Sequence, residues 1–287
     1  MQAIILCGGR GTRLNTLYSD RPKILVPVAG RPFIEWQLEW LARMGITDIH
    51  LAGGYKADVL KEWLETSSQR PDVSSQPLDS VSRFTLHISR FTFHASLSTE
   101  PSPLGTGGGL KFVEPWFRSD PFLVLNGDSL APNLDLKQLI QTHHQSGRPL
   151  TIAVTHIEGT GRYGTVEFDS TNCITAFREK ANRTEGWINT GVYVIQKEVL
   201  RNIQEGEVLS IETDLFPRIV QESLAGAFPC PPPLLDMGTP EGIRTMEVFL
   251  KRHNGSPFIT PLTHNQPHRC SKNQPEPQQL HPQHPHR

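Results

Sequence analysis

Long apolar runs, clustered cysteines and an excess of either charge are what this sequence lacks. None of its 287 residues falls in a stretch approaching the roughly 18 apolar residues that span a bilayer, so no membrane partner is expected. Lys and Arg number 28 against 29 Asp and Glu, and that balance leaves no basic footprint for nucleic acid. The four cysteines, Cys7, Cys173, Cys230 and Cys270, stand far apart without C-x-x-C spacing, which argues against a zinc site and against a disulfide framework. The segment after Met1 has neither the basic start nor the cleavage site of a secretory leader, so a reducing cytoplasm is the expected compartment. Two familiar phosphate motifs are missing as well. The register Gly9-Arg10-Gly11-Thr12-Arg13-Leu14 ends in Leu where a dinucleotide fingerprint needs Gly or Ala, and Gly105 to Phe112 has Leu110 before its Lys and no hydroxyl after it, so it is no Walker loop.

A different phosphate chemistry is written at the start. Ala3-Ile4-Ile5-Leu6-Cys7-Gly8-Gly9-Arg10-Gly11-Thr12-Arg13-Leu14 is followed by Arg21-Pro22-Lys23-Ile24-Leu25-Val26-Pro27-Val28. Glycines admit close ligand approach and let backbone N–H groups close around phosphate oxygens. Arg13 and Lys23 add the formal charge that backbone dipoles lack, and together these residues describe a triphosphate site. Alone, the first segment also reads as a Gly-rich turn between a buried strand and a loop. The ordered string G-G-x-G-T-R-L, then P-K-x-L-x-P-V, resembles the signature of the sugar-1-phosphate nucleotidyltransferases, which join a nucleoside triphosphate to a sugar 1-phosphate.

The organisation fits that family's α/β fold: a three-layer, Rossmann-like nucleotide-diphospho-sugar transferase fold, a mostly parallel mixed sheet with helices on both faces. Strands are expected at Ala3 to Leu6, Asp48 to Leu51, Phe84 to Phe93 and Phe122 to Asn126, and helices at Phe33 to Met44, Ala57 to Glu65, Gly107 to Phe117 and Leu136 to Gln145. Thr66 to Ser82, rich in Ser, Pro, Gln and Asp, reads as an exposed loop. From Leu150 the texture turns to β, with strands expected at Leu150 to His156, Thr165 to Phe168, Ile174 to Phe177 and Trp187 to Ile195. The expected domain is 1–250, with a nucleotide-binding half over about 1–148 and a sugar-phosphate half over about 149–250. A His-, Pro- and Gln-rich tail over 251–287 is too poor in apolar residues to order.

Attack of a phosphate oxygen on the α-phosphorus brings two anions together, so the protein's task is charge neutralisation and alignment. Asp128, in Asn126-Gly127-Asp128-Ser129, and Asp236, in Leu234-Leu235-Asp236-Met237-Gly238, both follow apolar runs and precede turns. Such carboxylates suit Mg²⁺, although an Asp after a strand is also a common turn former. The resemblance implies that both bind the metal, and that Arg13, Lys23 and Asp128 are catalytic. It implies nucleotide contacts from Leu6, Gly8, Gly9, Gly11, Thr12, Arg13, Glu100, Gly105 and Thr106, and sugar-phosphate contacts from Gly164, Glu179, Lys180 and Asn189. Leu104-Gly105-Thr106-Gly107-Gly108 is nearest the guanylyl-transferring members, and the overall pattern nearest those acting on heptose 1-phosphate. Mannose 1-phosphate enzymes and uridylyl or thymidylyl relatives are the runners-up. The expected partners are thus a nucleoside triphosphate and a sugar 1-phosphate, with homo-oligomerisation left open. Departures from the family pattern are Cys7, Gly109, the Thr66 to Ser82 stretch and the tail. A non-catalytic nucleotide-sugar-binding regulator is the alternative of a different class, and such proteins usually lose a phosphate-binding cation or a metal carboxylate. A metal-dependent glycosyltransferase would need the D-x-D that Asn126-Gly127-Asp128 does not supply.

Overall fold

The computed structural model describes residues 1–11, 14, 17–71, 81–160, 163–178 and 185–253. Expectations for Thr12, Arg13, Glu179, Lys180, residues 72–80 and the tail from Asn254 onward lie outside the described residues.

The first apolar run forms β1 (Ala3–Leu6) at the heart of an 11-stranded sheet. It can sit there because Ala3 and Ile5 pack into one hydrophobic cluster and Ile4 into the other, leaving neither face for water. A short turn at Lys23–Leu25 leads to β2 (Pro27–Val28), paired antiparallel with β3 (Arg31–Pro32). Next come α1 (Phe33–Arg43), β4 (Asp48–Gly53) and α2 (Ala57–Ser67), followed by β5 (Ser68–Pro71), β6 (Val81–Ile88) and β7 (Phe91–Thr99). Then follow α3 (Gly105–Phe112), β8 (Phe122–Asn126), β9 (Ser129–Leu130) and α4 (Leu136–Ser146). The second half contains β10 (Leu150–Glu158), β11 (Thr165–Phe168), β12 (Ile174–Arg178), β13 (Glu185–Ile195), α5 (Phe216–Gln221), β14 (Ala225–Cys230), β15 (Leu235–Asp236) and α6 (Pro240–Arg252).

The central strands run β8-β1-β4-β7, all parallel, and antiparallel strands flank them on both sides. The long β13 pairs with β8, β10 and β11, so one sheet runs through both halves of the chain. Leu60, Leu139 and Met246 of α2, α4 and α6 join α1 on one face, while Leu110 of α3 and Phe216 of α5 cover the other. This is the expected three-layer arrangement. Among the described residues no helix is long and apolar enough to cross a membrane.

Four expectations need correction. Phe84 to Phe93 is part of a hairpin, β6 and β7, which reverses at Ser89 (φ 56°) and Arg90 without the Gly or Pro that usually marks a turn. The expected loop from Thr66 is structured at both ends, as the end of α2, the edge strand β5 and the start of β6. The expected helix to Phe117 stops at Phe112, and a separate 3-10 turn covers Glu114–Trp116, where Pro115 has no N–H to continue an α-helix. Finally, 251 does not open the tail. The buried residues Ile243, Met246 and Leu250 carry α6 through Arg252, and Thr239 caps it by accepting the Gly242 N–H at 3.1 Å.

Candidate active site

The carboxyl ends of β1, β4 and β8 release their loops side by side, where ligands bind in open α/β sheets. The cleft they form holds about 550 Å³, within the range of ligand pockets. Leu6, Gly8, Gly9, Gly11, Lys23, Glu100, Gly105, Thr106 and Asp128 all line it. Among the described residues nothing accepts the N–H groups of Gly8, Gly9, Arg10 or Gly11, so they are open to solvent or a ligand. Cys7 is buried, its Sγ hydrogen donated to the Ala52 carbonyl at 3.2 Å, and burial pushes its thiol pKa up to about 12. It fills space, as expected.

A second cleft of about 440 Å³ is lined by Tyr163, Gly164, Arg178, Asn189 and Asp236. Asn126, Asp128 and Glu212 line both clefts. The two clefts therefore meet along one wall, with Asp128 at the seam.

The antiparallel β9–β15 ladder is what brings the two distant aspartates together. Asp236 is paired with Ser129, and the Met237 N–H donates to the Asp128 carbonyl at 3.0 Å. The Asp128 Oδ2 accepts Lys23 Nζ at 2.6 Å. Packing of the Lys23 stem over Gly11 aims that ammonium, since a Cβ on Gly11 would lie 3.6–3.7 Å from three carbons of the stem. Asp236 Oδ1 accepts the Gly238 N–H at 2.6 Å, and the Tyr163 hydroxyl donates to its Oδ2 at 3.4 Å. Among the described residues no group of three or more His, Cys, Asp or Glu side chains could hold a metal ion. Asp128 and Asp236 both line the second cleft, and two carboxylates with water and substrate oxygens are a donor set that would fit Mg²⁺.

Glu212, which the sequence reading passed over, is the hub of the seam. Its Oε1 accepts the Tyr193 hydroxyl at 2.9 Å and the amide Nδ2 groups of Asn126 and Asn189 at 3.3 Å each. Asn189 is fixed from both ends, donating to the Tyr193 oxygen at 2.8 Å and accepting the Gly191 N–H at 2.8 Å. Burial, reinforced by the negative charge of Glu212, raises the Tyr193 pKa well above the usual phenol value, so it stays a neutral O–H donor. The signal for Glu212 is a capping pattern. Ser210 Oγ accepts the N–H groups of Glu212 and Thr213, and Asp214 returns the favour to the Ser210 N–H at 2.7 Å.

The glycine-rich first turns of α3 line the cleft at Gly105, Thr106 and Gly109 and also pack against the chain at Leu209. Gly107 and Gly108 donate to the Leu209 carbonyl at 2.9 and 3.3 Å, and Thr106 Oγ1 accepts the Ile211 N–H at 2.9 Å. A Cβ on Gly108 would collide with the Glu207 carbonyl oxygen. These glycines are thus used for close approach of the chain that carries Glu212, while Gly109 faces the Glu100 carboxylate and the cleft. Burial raises the Glu100 pKa, against the opposing effect of the Leu104 N–H it accepts at 3.2 Å. Gly108→Val is expected to cost about 1–3 kcal/mol, the usual range for overpacking, because a backbone carbonyl cannot swing aside as a side chain can. An unchanged denaturant midpoint would contradict this close packing.

A family model described as "Nucleotidyl transferase" matches residues 2–252. A D-glycero-alpha-D-manno-heptose 1-phosphate guanylyltransferase of Campylobacter jejuni is 32% identical over 212 residues, 74% of this chain and 83% of that protein. Mannose-1-phosphate guanyltransferase 2 of Candida glabrata is 34% identical over 246 residues, 84% of this chain, which spans only 62% of that longer relative. The crystal structure of HddC from Yersinia pseudotuberculosis complexed with GMP-PN superposes with a TM-score of 0.70 at 26% identity, covering 86% of this chain and 98% of that one.

Proposed function

The chain belongs to the nucleotidyl transferase family, and on that premise we propose that it transfers GMP from GTP to D-glycero-D-manno-heptose 1-phosphate, making a nucleotide sugar for surface polysaccharide. An oxygen of the sugar 1-phosphate attacks the α-phosphorus of GTP in line. A P–O bond forms there, and the bond to the β-phosphate oxygen breaks as pyrophosphate leaves with its electron pair. The observation that supports this reading is the junction of the two clefts at Asp128 and Glu212, where a triphosphate bound in one and a sugar phosphate bound in the other would meet.

In this reading the open N–H groups of Gly8 to Gly11, with Lys23, Thr12 and Arg13, hold the triphosphate. Glu100 accepts the N–H donors on the guanine edge. Gly164, Glu179, Asn189 and Glu212 meet sugar hydroxyls, and Lys180 meets the 1-phosphate. Asp128 and Asp236 hold Mg²⁺, which when bound neutralises the charge of the phosphates. Mannose 1-phosphate is the second reading of the acceptor, favoured by the guanyltransferase relatives of greater length.

Pyrophosphate release with Mg²⁺, crossing GTP, dTTP, UTP, CTP and ATP against heptose, mannose and glucose 1-phosphates, tests this. Release is expected to be fastest with GTP and the heptose phosphate. Another productive pair corrects the specificity and keeps the reaction. Binding of a nucleotide sugar without release from any pair would make the protein a regulator instead.

A further inference from the structure

We infer that Gln37 is a positioning residue for Asp128, an inference that rests on the role proposed above for that carboxylate. Gln37 lies in α1 between Trp36 and Leu38 and is fully buried, where an amide is costly unless it has polar work to do. Its Nε2 donates to the Asn126 carbonyl at 2.8 Å and to the Ser129 carbonyl at 3.0 Å. Those carbonyls bracket Gly127-Asp128, so one NH₂ group ties together both ends of the turn that presents the carboxylate. Both partners are acceptors, which fixes the amide with its nitrogen toward the turn. Among the described residues the Gln37 Oε1 is buried without a hydrogen-bond partner, so the side-chain hydrogen bonds seen there all go to this turn.

Side-chain ties reach the turn from Lys23, which meets the Asp128 carboxylate, and from Glu212, which accepts the Asn126 amide; its other ties come from the sheet and the residues beside it. Gly127 N–H donates to the Leu6 carbonyl at 2.9 Å, Met237 N–H to the Asp128 carbonyl at 3.0 Å, and the Ser129 hydroxyl to the Thr190 carbonyl at 3.1 Å. Gln37 supplies the tie from the helix layer. Without it the turn can tilt about its strand anchors, and Asp128 then moves relative to Lys23 and Asp236. Partners that orient a metal-binding carboxylate in this way typically change affinity or activity about 10–100-fold when lost.

The test compares Gln37→Leu, Gln37→Glu, Asp128→Asn and a packing control, Trp40→Phe, which alters a buried side chain of the same helix. Gln37→Leu is expected to lower kcat about tenfold or more, with the KM for GTP little changed. Mn²⁺ affinity of the nucleotide-free protein, followed by electron paramagnetic resonance, is expected to fall with it. Gln37→Glu offers no donor when ionised and one when protonated, so its kcat should rise as pH falls while the parent's does not. That profile decides the matter if Gln37→Leu does not fold. A Gln37→Leu protein with the kcat and Mn²⁺ affinity of Trp40→Phe, or a Gln37→Glu profile parallel to the parent's, overturns the inference. If Asp128→Asn keeps full turnover, the reading of Asp128 itself is overturned and the role of Gln37 with it. Asp128→Asn inactive beside an unaffected Gln37→Leu removes Gln37 alone.

Discussion

Asp128→Asn is expected to lower turnover about a hundredfold or more, the scale on which losing one preorganised electrostatic contact acts, while the fold survives. The amide has the shape of the carboxylate, and the turn is held by backbone bonds that the substitution leaves alone, from Gly127 to Leu6 and from Met237 to Asp128. What disappears is the charge at the seam of the two clefts. Lys23 then loses its 2.6 Å ionic partner, and the pair of carboxylates proposed to hold Mg²⁺ is reduced to one. Pyrophosphate release at saturating substrate, measured beside a thermal melt, separates chemistry from folding. Near-parental turnover in a folded protein would falsify the assignment of Asp128.

Lys23→Ala is expected to cost about as much, but in a different pattern. Its ammonium lines the first cleft and is bonded to Asp128, and its side chain keeps only 18% of its surface exposed. Partial exclusion of water strengthens its attraction for a phosphate relative to a surface lysine. An interaction made with both bound nucleotide and transition state should raise the KM for GTP as well as lower kcat, whereas Asp128→Asn should act chiefly on kcat. Lys23→Arg tests geometry. The stem passes over Gly11 to deliver a point charge, and a planar fork cannot be placed the same way. Full activity in Lys23→Ala, or loss confined to thermal stability, would remove Lys23 from the chemistry.

Strands β1 and β8 were legible because a strand buried on both faces favours a continuous apolar run, and Ala3 to Leu6 and Phe122 to Leu125 supply one. Helix α1 was legible from its apolar spacing, although Gln37, a fully buried amide inside it, gave no hint of its partners. The hairpin at Ser89 and Arg90 was hidden because ordinary residues make that turn. The extension of α6 was hidden because the charged residues Lys251 and Arg252 conceal a helix whose last apolar contact is Leu250.

Local chemistry by itself marked out the glycine-rich turn, the lysine that follows it and the aspartates after their strands, since each depends on residue type and on neighbours a few positions away. Only the tertiary structure decided which of these meet. Asp128 and Asp236 become neighbours through the two-residue β9–β15 ladder, Glu212 joins Asn126, Asn189 and Tyr193 across three separate segments, and Gln37 reaches the Asp128 turn from another layer. Such contacts depend on how strands pair and layers stack over the whole sheet. No local pattern encodes that, so the wall shared by the two clefts exists only once the chain has folded.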